Sequence, residues 1–129
     1  MIDGHGERNT ALWGGLTTAA ADRKGLARIV VDGAIRDIAE IRRSRLAVFA
    51  RAVVANAGGA EYAGESDVPV QCGGVVVSPG DWLVGDDDDV VVIPIKRLEE
   101  AIRIGNSIIC SGNGNAAARP NCSKPRRRF

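Results

Sequence analysis

Two adjacent side chains of opposite charge, Arg36 and Asp37, are the first residues of this sequence that could do chemistry. They follow an apolar run from Ile29 that is typical of a short buried strand, with a turn predicted at Asp32–Gly33. A carboxylate at such a strand end can anchor a hard divalent cation through oxygen, and a neighbouring guanidinium can hold an anionic substrate. The alternative is that Asp37 caps the helix predicted from Ile38, beside a surface arginine.

The segment Gly14–Thr17 is a second candidate binding element. Two glycines ahead of a helix let a ligand approach the backbone, and the exposed amide N–H groups can bind carboxylate or phosphate. A simple turn would use the same residues. The Asp86–Asp89 run lacks the ligand spacing of a calcium loop and is better explained as a turn between strands. His5, the only histidine, has no partner motif for a catalytic triad.

The elements that must position these residues can be predicted from the sequence pattern. We expect a helix from about Gly15 to Lys24, ended by Gly25. The apolar run Leu46–Ala55 fits one or two buried strands, and a buried helix is the alternative. Four further strands are predicted at Val68–Val70, Val75–Val77, Trp82–Val84 and Val90–Ile93, followed by a short helix from Ile95 to Gly105. An isolated strand end at Ile2–Asp3 and a turn at Gly4–Gly6 open the chain. We therefore predict an α/β domain with short strands in more than one sheet.

Length and composition bound the class of protein. The chain has 129 residues, 45% of them hydrophobic, which is enough for one packed domain. A formal charge of +1 and an aromatic content of 4% argue against nucleic-acid and membrane-surface partners. No signal peptide or membrane-length apolar run is evident, so we expect a cytoplasmic protein. We place the domain at residues 1–104 and expect residues 105–129 to be irregular or disordered.

Several motifs, taken in order, resemble a known family. The segments ALWGGLTTAA, GLARIVVDGAIRD and VPVQCGGVVVSPGDWLVGDDDDVVVIP are similar to those of the RraA-like family. That family contains 4-hydroxy-4-methyl-2-oxoglutarate/4-carboxy-4-hydroxy-2-oxoadipate aldolases and the regulators of ribonuclease activity A. The resemblance runs from about Ile2 to Ala101, and the DGxxRD turn followed by the GGVxVxPGD block is specific in order and spacing.

The resemblance implies a swivelling β/β/α-type fold assembled as a homotrimer or homohexamer, with active sites between subunits. It implies that Asp37 holds a divalent metal, Mg²⁺ or Mn²⁺, largely with waters as further ligands. Arg36 would contact a 2-oxo acid substrate. Backbone groups of Gly14, Gly15, Leu16 and Thr17 would bind its carboxylate.

The expected reaction is cleavage of a 4-hydroxy-2-oxo acid to pyruvate, with oxaloacetate decarboxylation as a side activity. A metal acting as a Lewis acid, together with Arg36, would stabilise the enolate charge. The alternatives are a ribonuclease regulator and a non-catalytic member of the family. Retention of Asp37 favours the aldolase, because masking a nuclease needs no metal-anchoring carboxylate.

Two departures from the family pattern bear on activity. At Gly15 the aldolases usually carry Asp or Glu, which helps to hold the water shell of the metal, so the sequence predicts weaker metal binding. The family also has helices and strands before the first DG pair of this chain, at Asp3–Gly4. We therefore expect an N-terminally truncated RraA-like domain.

Overall fold

The computed structural model describes residues 1–59 and 64–111 and contains two compact units, one from Met1 to Pro79 and one from Gly80 onward. The α/β class predicted from the sequence is confirmed. The strands also lie in three separate sheets, as the short β-branched runs indicated.

The first unit is built on a three-stranded parallel sheet. Its strands are β1 (Ile2–Trp13), β2 (Arg28–Ile35) and β3 (Ala47–Val53), in the order β1-β2-β3. Every residue of β2 after Arg28 is buried, as expected of a central parallel strand that is covered on both faces. The run of β-branched and small residues in this segment therefore specifies the centre of the sheet.

Strand β2 corrects the predicted turn at Asp32–Gly33, because the strand continues through both residues to Ile35. The buried Asp32 side chain is ion-paired with Arg51 on β3, which compensates the charge within the sheet. Gly33 lies close to β1: a Cβ there would lie 2.6 Å from Leu12 Cδ1, so the Leu12 side chain would have to move. Tertiary contacts thus override a dipeptide that usually marks a turn.

Strand β1 is longer than predicted and irregular. Its register against β2 shifts three times, and His5 and Gly6 have left-handed φ angles of 53° and 72°. The turn expected at Gly4–Gly6 is therefore present as a bulge within the strand rather than as its end.

Two helices cover one part of this sheet. Helix α1 (Gly15–Arg23) is followed by Gly25 with φ of 75°, and α2 (Ile38–Ile41) is a single turn after β2. The predicted helix and its glycine stop are confirmed. The core beneath the helices contains these buried residues: Ala21, Ile29, Val31, Ile35, Ile41 and Leu46.

A two-stranded antiparallel hairpin, β4 (Val70–Cys72) and β5 (Val75–Val77), completes the first unit. Two carboxylates attach it to the parallel sheet: Asp3 accepts the N–H of Gln71 at 3.2 Å, and Asp32 accepts the N–H of Gly73 at 3.1 Å. The hairpin is therefore fixed to the strand that leads to the Arg36–Asp37 pair.

The second unit contains the hairpin β6 (Trp82–Gly85) and β7 (Val90–Ile93), a 3₁₀ turn at Ile95–Arg97 and helix α3 (Leu98–Ser111). Between the strands, Asp86 accepts the N–H groups of Asp88 and Asp89, so the acidic run is a turn as predicted. In the described part of the chain, no helix has the length and apolar character needed to cross a membrane.

Helix α3 corrects the expectation that residues from 105 onward are irregular. Gly105 lies inside the helix, and the apolar spacing of Ile102, Ile108 and Ile109 continues the helical period beyond it. A glycine near the end of a helical pattern often marks a stop, but a glycine in the helix interior costs only about 1 kcal/mol. Residues 112–129 of the predicted tail lie outside the described residues, and the boundary placed at residue 104 stays a prediction.

Candidate active site

The carboxyl ends of β1 and β2 lie side by side and bring together the two segments singled out in the sequence. Trp13 pairs with Ile35 at the last position of the ladder, and the N–H of Arg36 donates to the Trp13 carbonyl oxygen at 2.9 Å. The chain then continues from Trp13 into Gly14 and α1, and from Ile35 into Arg36 and α2. Parallel pairing is thus the reason why residues 14–17 lie beside residues 36–37.

Asp37 occupies the N-cap position of α2, but its side chain does not cap that helix. Its backbone is left-handed, with φ of 60° and ψ of 38°, a conformation that Asp tolerates better than most residues. The Oδ2 atom instead accepts the N–H of Gly15 at 2.9 Å. The helix-cap interpretation of Asp37 is therefore wrong, and its carboxylate is directed towards the glycine segment.

Arg36 lies against the same segment. Its Nε atom is 3.5 Å from Asp37 Oδ2, and both side chains are 40% exposed. A Cβ on Gly14 would lie 2.8 Å from that oxygen and 3.1 Å from Arg36 Nε, so a larger residue there would displace these two side chains. Such a half-exposed ion pair contributes little to stability, typically below about 1 kcal/mol. Both charged groups can therefore be reached by a ligand.

The first turn of α1 has two amide groups already in use and two that are not. The N–H of Gly14 donates to Thr17 Oγ1 at 3.0 Å, and that of Gly15 donates to Asp37. The N–H groups of Leu16 and Thr17 have no acceptor among the described residues, as is usual at a helix start. Of the four residues predicted to bind a carboxylate, Leu16 and Thr17 thus offer donors, whereas Gly14 and Gly15 shape the segment.

Glu40 is a residue of this site that the sequence analysis did not identify. A Cβ built on Gly15 would overlap Glu40 Oε2 and would lie 3.0 Å from Glu40 Cδ and 3.5 Å from Asp37 Cβ. The Glu40 carboxylate therefore fills the space that a side chain at position 15 would need. The signal that could have found it is its position three residues after Asp37, one helical turn away.

The donor set suits a hard cation that keeps most of its water. Asp37 and Glu40 supply carboxylate oxygens, and no group of three or more His, Cys, Asp or Glu side chains that could hold a metal occurs within residues 1–59 and 64–111. Mg²⁺ is commonly bound by one or two carboxylates together with waters. The residues present therefore fit such an ion, and they do not fit a structural zinc site.

Comparisons with known proteins identify the family of the chain. Residues 1–92 match the RraA-like family model, described as Aldolase/RraA. The chain is 43% identical over 107 residues to an uncharacterised protein of Methanocaldococcus jannaschii, covering 83% of this chain and 51% of that protein. It is 40% identical over 94 residues to the 4-hydroxy-4-methyl-2-oxoglutarate aldolase of Thermus thermophilus, covering 73% of this chain and 57% of that protein.

A solved structure shows the same fold. The structure of Streptomyces coelicolor RraAS2, described as an unusual member of the RNase ES inhibitor RraA family, is similar with a TM-score of 0.78 at 30% identity. The match covers 86% of this chain and 58% of that one. The chain thus spans about half the length of the curated relatives that it matches. On the family match, the relatives and this shared fold, the chain belongs to the RraA-like family.

Proposed function

We propose that the protein acts as a divalent-metal-dependent aldolase that releases pyruvate from 4-hydroxy-4-methyl-2-oxoglutarate or a related 4-hydroxy-2-oxo acid. The observation that supports this most is the position of the Asp37 carboxylate, held by the N–H of Gly15 beside the Arg36 guanidinium. A relative of 40% identity carries the name of this aldolase.

In this proposal Asp37 would be the protein ligand of Mg²⁺ or Mn²⁺, and Glu40 would accept hydrogen bonds from waters of the ion. The bound cation would supply a Lewis acid for the keto oxygen of the substrate. The Gly15 N–H donates to Oδ2 of Asp37, and Oδ1 accepts no hydrogen bond among the described contacts. The Oδ1 oxygen is therefore available to the ion.

The chain's own residues then bind the substrate and stabilise charge. The free N–H groups of Leu16 and Thr17, at the positive end of the α1 dipole, bind the substrate carboxylate. Breaking the C3–C4 bond leaves its electron pair on a pyruvate enolate, while the 4-hydroxyl group loses its proton to solvent and becomes the carbonyl of the second product. A proton from solvent then converts the enolate to pyruvate. The guanidinium of Arg36 offers N–H donors and positive charge to the developing enolate charge. Oxaloacetate decarboxylation passes through the same enolate and is proposed as a side reaction.

The test of this proposal is the variant Asp37→Asn. Asparagine also tolerates the left-handed backbone, so the fold should persist, but the amide removes the negative charge from the metal position. We expect metal-dependent pyruvate formation to fall by at least about 100-fold. Asp22→Asn on the exposed side of α1 is the matched control and should retain activity. Undiminished activity in Asp37→Asn would remove this residue from the mechanism.

A ribonuclease regulator is the second candidate, because RraAS2 belongs to an RNase inhibitor family and shares the fold. Such binding would not depend on Asp37 or on a metal. Inhibition of RNase E by the wild type and by Asp37→Asn to the same extent, without pyruvate formation by either, would favour the regulator. We also propose assembly as a homotrimer or homohexamer, which light scattering would test.

A further inference from the structure

The carbonyl oxygen of Gly14 is held by an unusual number of donors. It accepts the N–H of Thr18 at 3.0 Å and the hydroxyl groups of Thr17 and Thr18, each at 2.9 Å. The hydroxyl of Thr18, a residue only 2% exposed, also accepts the indole N–H of Trp13 at 2.7 Å. Since a hydroxyl has one hydrogen, the Trp13 contact leaves that hydrogen for the Gly14 carbonyl.

The hydrogen bonds to the Gly14 carbonyl also orient the N–H on the opposite side of the same peptide group. The Gly14–Gly15 peptide is planar and trans, so its N–H points away from its carbonyl oxygen. Fixing the carbonyl of Gly14 towards α1 therefore fixes the N–H of Gly15 towards Asp37 Oδ2, where it donates at 2.9 Å. Trp13 also contacts the other half of the site, because its carbonyl accepts the N–H of Arg36.

We propose that Trp13 and Thr18 are positioning residues that hold the Asp37 carboxylate in place, through the Gly14 carbonyl and the rigid Gly14–Gly15 peptide. The role of that carboxylate as a metal ligand rests on the function proposed above. A purely structural role for Thr18 would satisfy a buried hydroxyl and the helix start without affecting Asp37. Under the positioning role, loss of the Thr18 hydroxyl weakens the hydrogen bond of the Gly15 N–H to Asp37. Under the purely structural role, that hydrogen bond is unchanged.

The first experiment measures hydrogen exchange at the Gly15 amide by NMR in the metal-free protein. Thr18→Val keeps the shape of the side chain but removes both hydrogen bonds of the hydroxyl. We expect exchange at Gly15 to accelerate by about three- to tenfold relative to wild type. Thr18→Ser restores the hydroxyl and should stay within about twofold of wild type. Trp13→Phe, which removes the indole donor and also shortens a ring that packs against the core, should change exchange in the same direction as Thr18→Val.

Matched controls carry the same chemical changes away from this chain of hydrogen bonds. Thr10→Val removes a hydroxyl that accepts the Asn56 side-chain amide at 3.3 Å, and Trp82→Phe alters an exposed indole on β6. Neither should change exchange at Gly15. Unchanged exchange in both Thr18→Val and Trp13→Phe would overturn the proposal, as would equal acceleration in the controls. If Thr18→Val folds poorly, the comparison of Trp13→Phe with its control Trp82→Phe still decides the question, because Trp13→Phe removes the same hydrogen bond and leaves Thr18 unchanged.

The second experiment measures Mn²⁺ affinity by calorimetry. We expect the dissociation constant to rise about three- to tenfold in Thr18→Val and to recover in Thr18→Ser. An unchanged constant in Thr18→Val would contradict the link from Thr18 to the metal position. If the wild type binds no Mn²⁺ and forms no pyruvate, the proposed function fails, whereas the Gly15 exchange data still decide whether Trp13 and Thr18 hold Asp37.

Discussion

Replacing Gly15 by alanine should separate the stability of the protein from its metal affinity. The new methyl group would overlap Glu40 Oε2 and lie 3.0 Å from Glu40 Cδ, whereas its 3.5 Å distance from Asp37 Cβ is an ordinary contact. Glu40 is exposed, so its side chain can rotate away and the backbone need not move. The substitution therefore displaces one carboxylate of the site and leaves the other in place.

The fold should not suffer from this change. Gly15 is the first residue of α1 and its φ is not left-handed, so alanine fits the backbone. Alanine is favoured over glycine in a helix by about 0.5–1 kcal/mol, partly because it restricts the unfolded chain. We expect the melting temperature of Gly15→Ala to lie between the wild-type value and about 8 °C above it.

Metal affinity should change in the opposite direction. Loss of a group that orients metal-bound waters typically costs about 10–100-fold in affinity. The assay is a Mg²⁺ titration of pyruvate release, with a thermal melt of each protein. Gly15→Ala should shift the Mg²⁺ midpoint upward by that factor, whereas Gly15→Glu supplies a new carboxylate and should bring the midpoint back to the wild-type value or below it.

A double-mutant cycle identifies the cause. Glu40→Gln should raise the Mg²⁺ midpoint by about as much as Gly15→Ala, and the double variant should show little further loss, because both changes remove the same interaction. A wild-type midpoint in Gly15→Ala would refute the role assigned to Glu40. Full additivity of the two changes would show that Gly15→Ala acts by another route.

Two further predictions concern charged groups of the first unit. Arg36→Lys keeps the charge but loses the planar donors, so we expect the turnover number for pyruvate release to fall by about 100-fold at saturating metal, and a loss below threefold would contradict this. The Arg51 guanidinium lowers the pKa of the buried Asp32 below its ordinary 3.8, so this stabilisation is present above pH 3.8 and disappears as pH falls through the lowered value. Asp32→Asn should therefore lower the melting temperature at pH 7 by about 5–10 °C and flatten its decline below pH 4. Parallel acid profiles of the two proteins in a pH series of thermal melts would contradict this.

Much of the site's framework could be predicted from local sequence signals. The helix after Gly14 and the strand before Arg36 both have clear patterns, and Gly25 gives a conventional helix stop. The pairing of β1 with β2, which brings Gly14 and Asp37 together, is a long-range feature that no local window contains. For Asp37, the sequence could not distinguish a helix cap from a ligand-facing carboxylate, because both use the same residue at the same position.

The features that could not be predicted depend on contacts distant in sequence. The Asp32–Gly33 pair carries a strong turn signal, yet pairing with β1 and β3 and the Asp32–Arg51 ion pair keep it within a strand. The sequence indicates only that Gly15 lacks a carboxylate, whereas the structure shows the Glu40 carboxylate in the same space. Only the three-dimensional arrangement shows that these two positions share one volume.

The most direct test of the central claim is pyruvate release from 4-hydroxy-4-methyl-2-oxoglutarate by the wild-type protein, measured with Mg²⁺ and after chelation of divalent metals. The account predicts pyruvate formation that requires the metal, returns when Mg²⁺ is restored and is lost in Asp37→Asn. Formation of pyruvate at the same rate with and without metal, or no formation at any Mg²⁺ concentration, would contradict it.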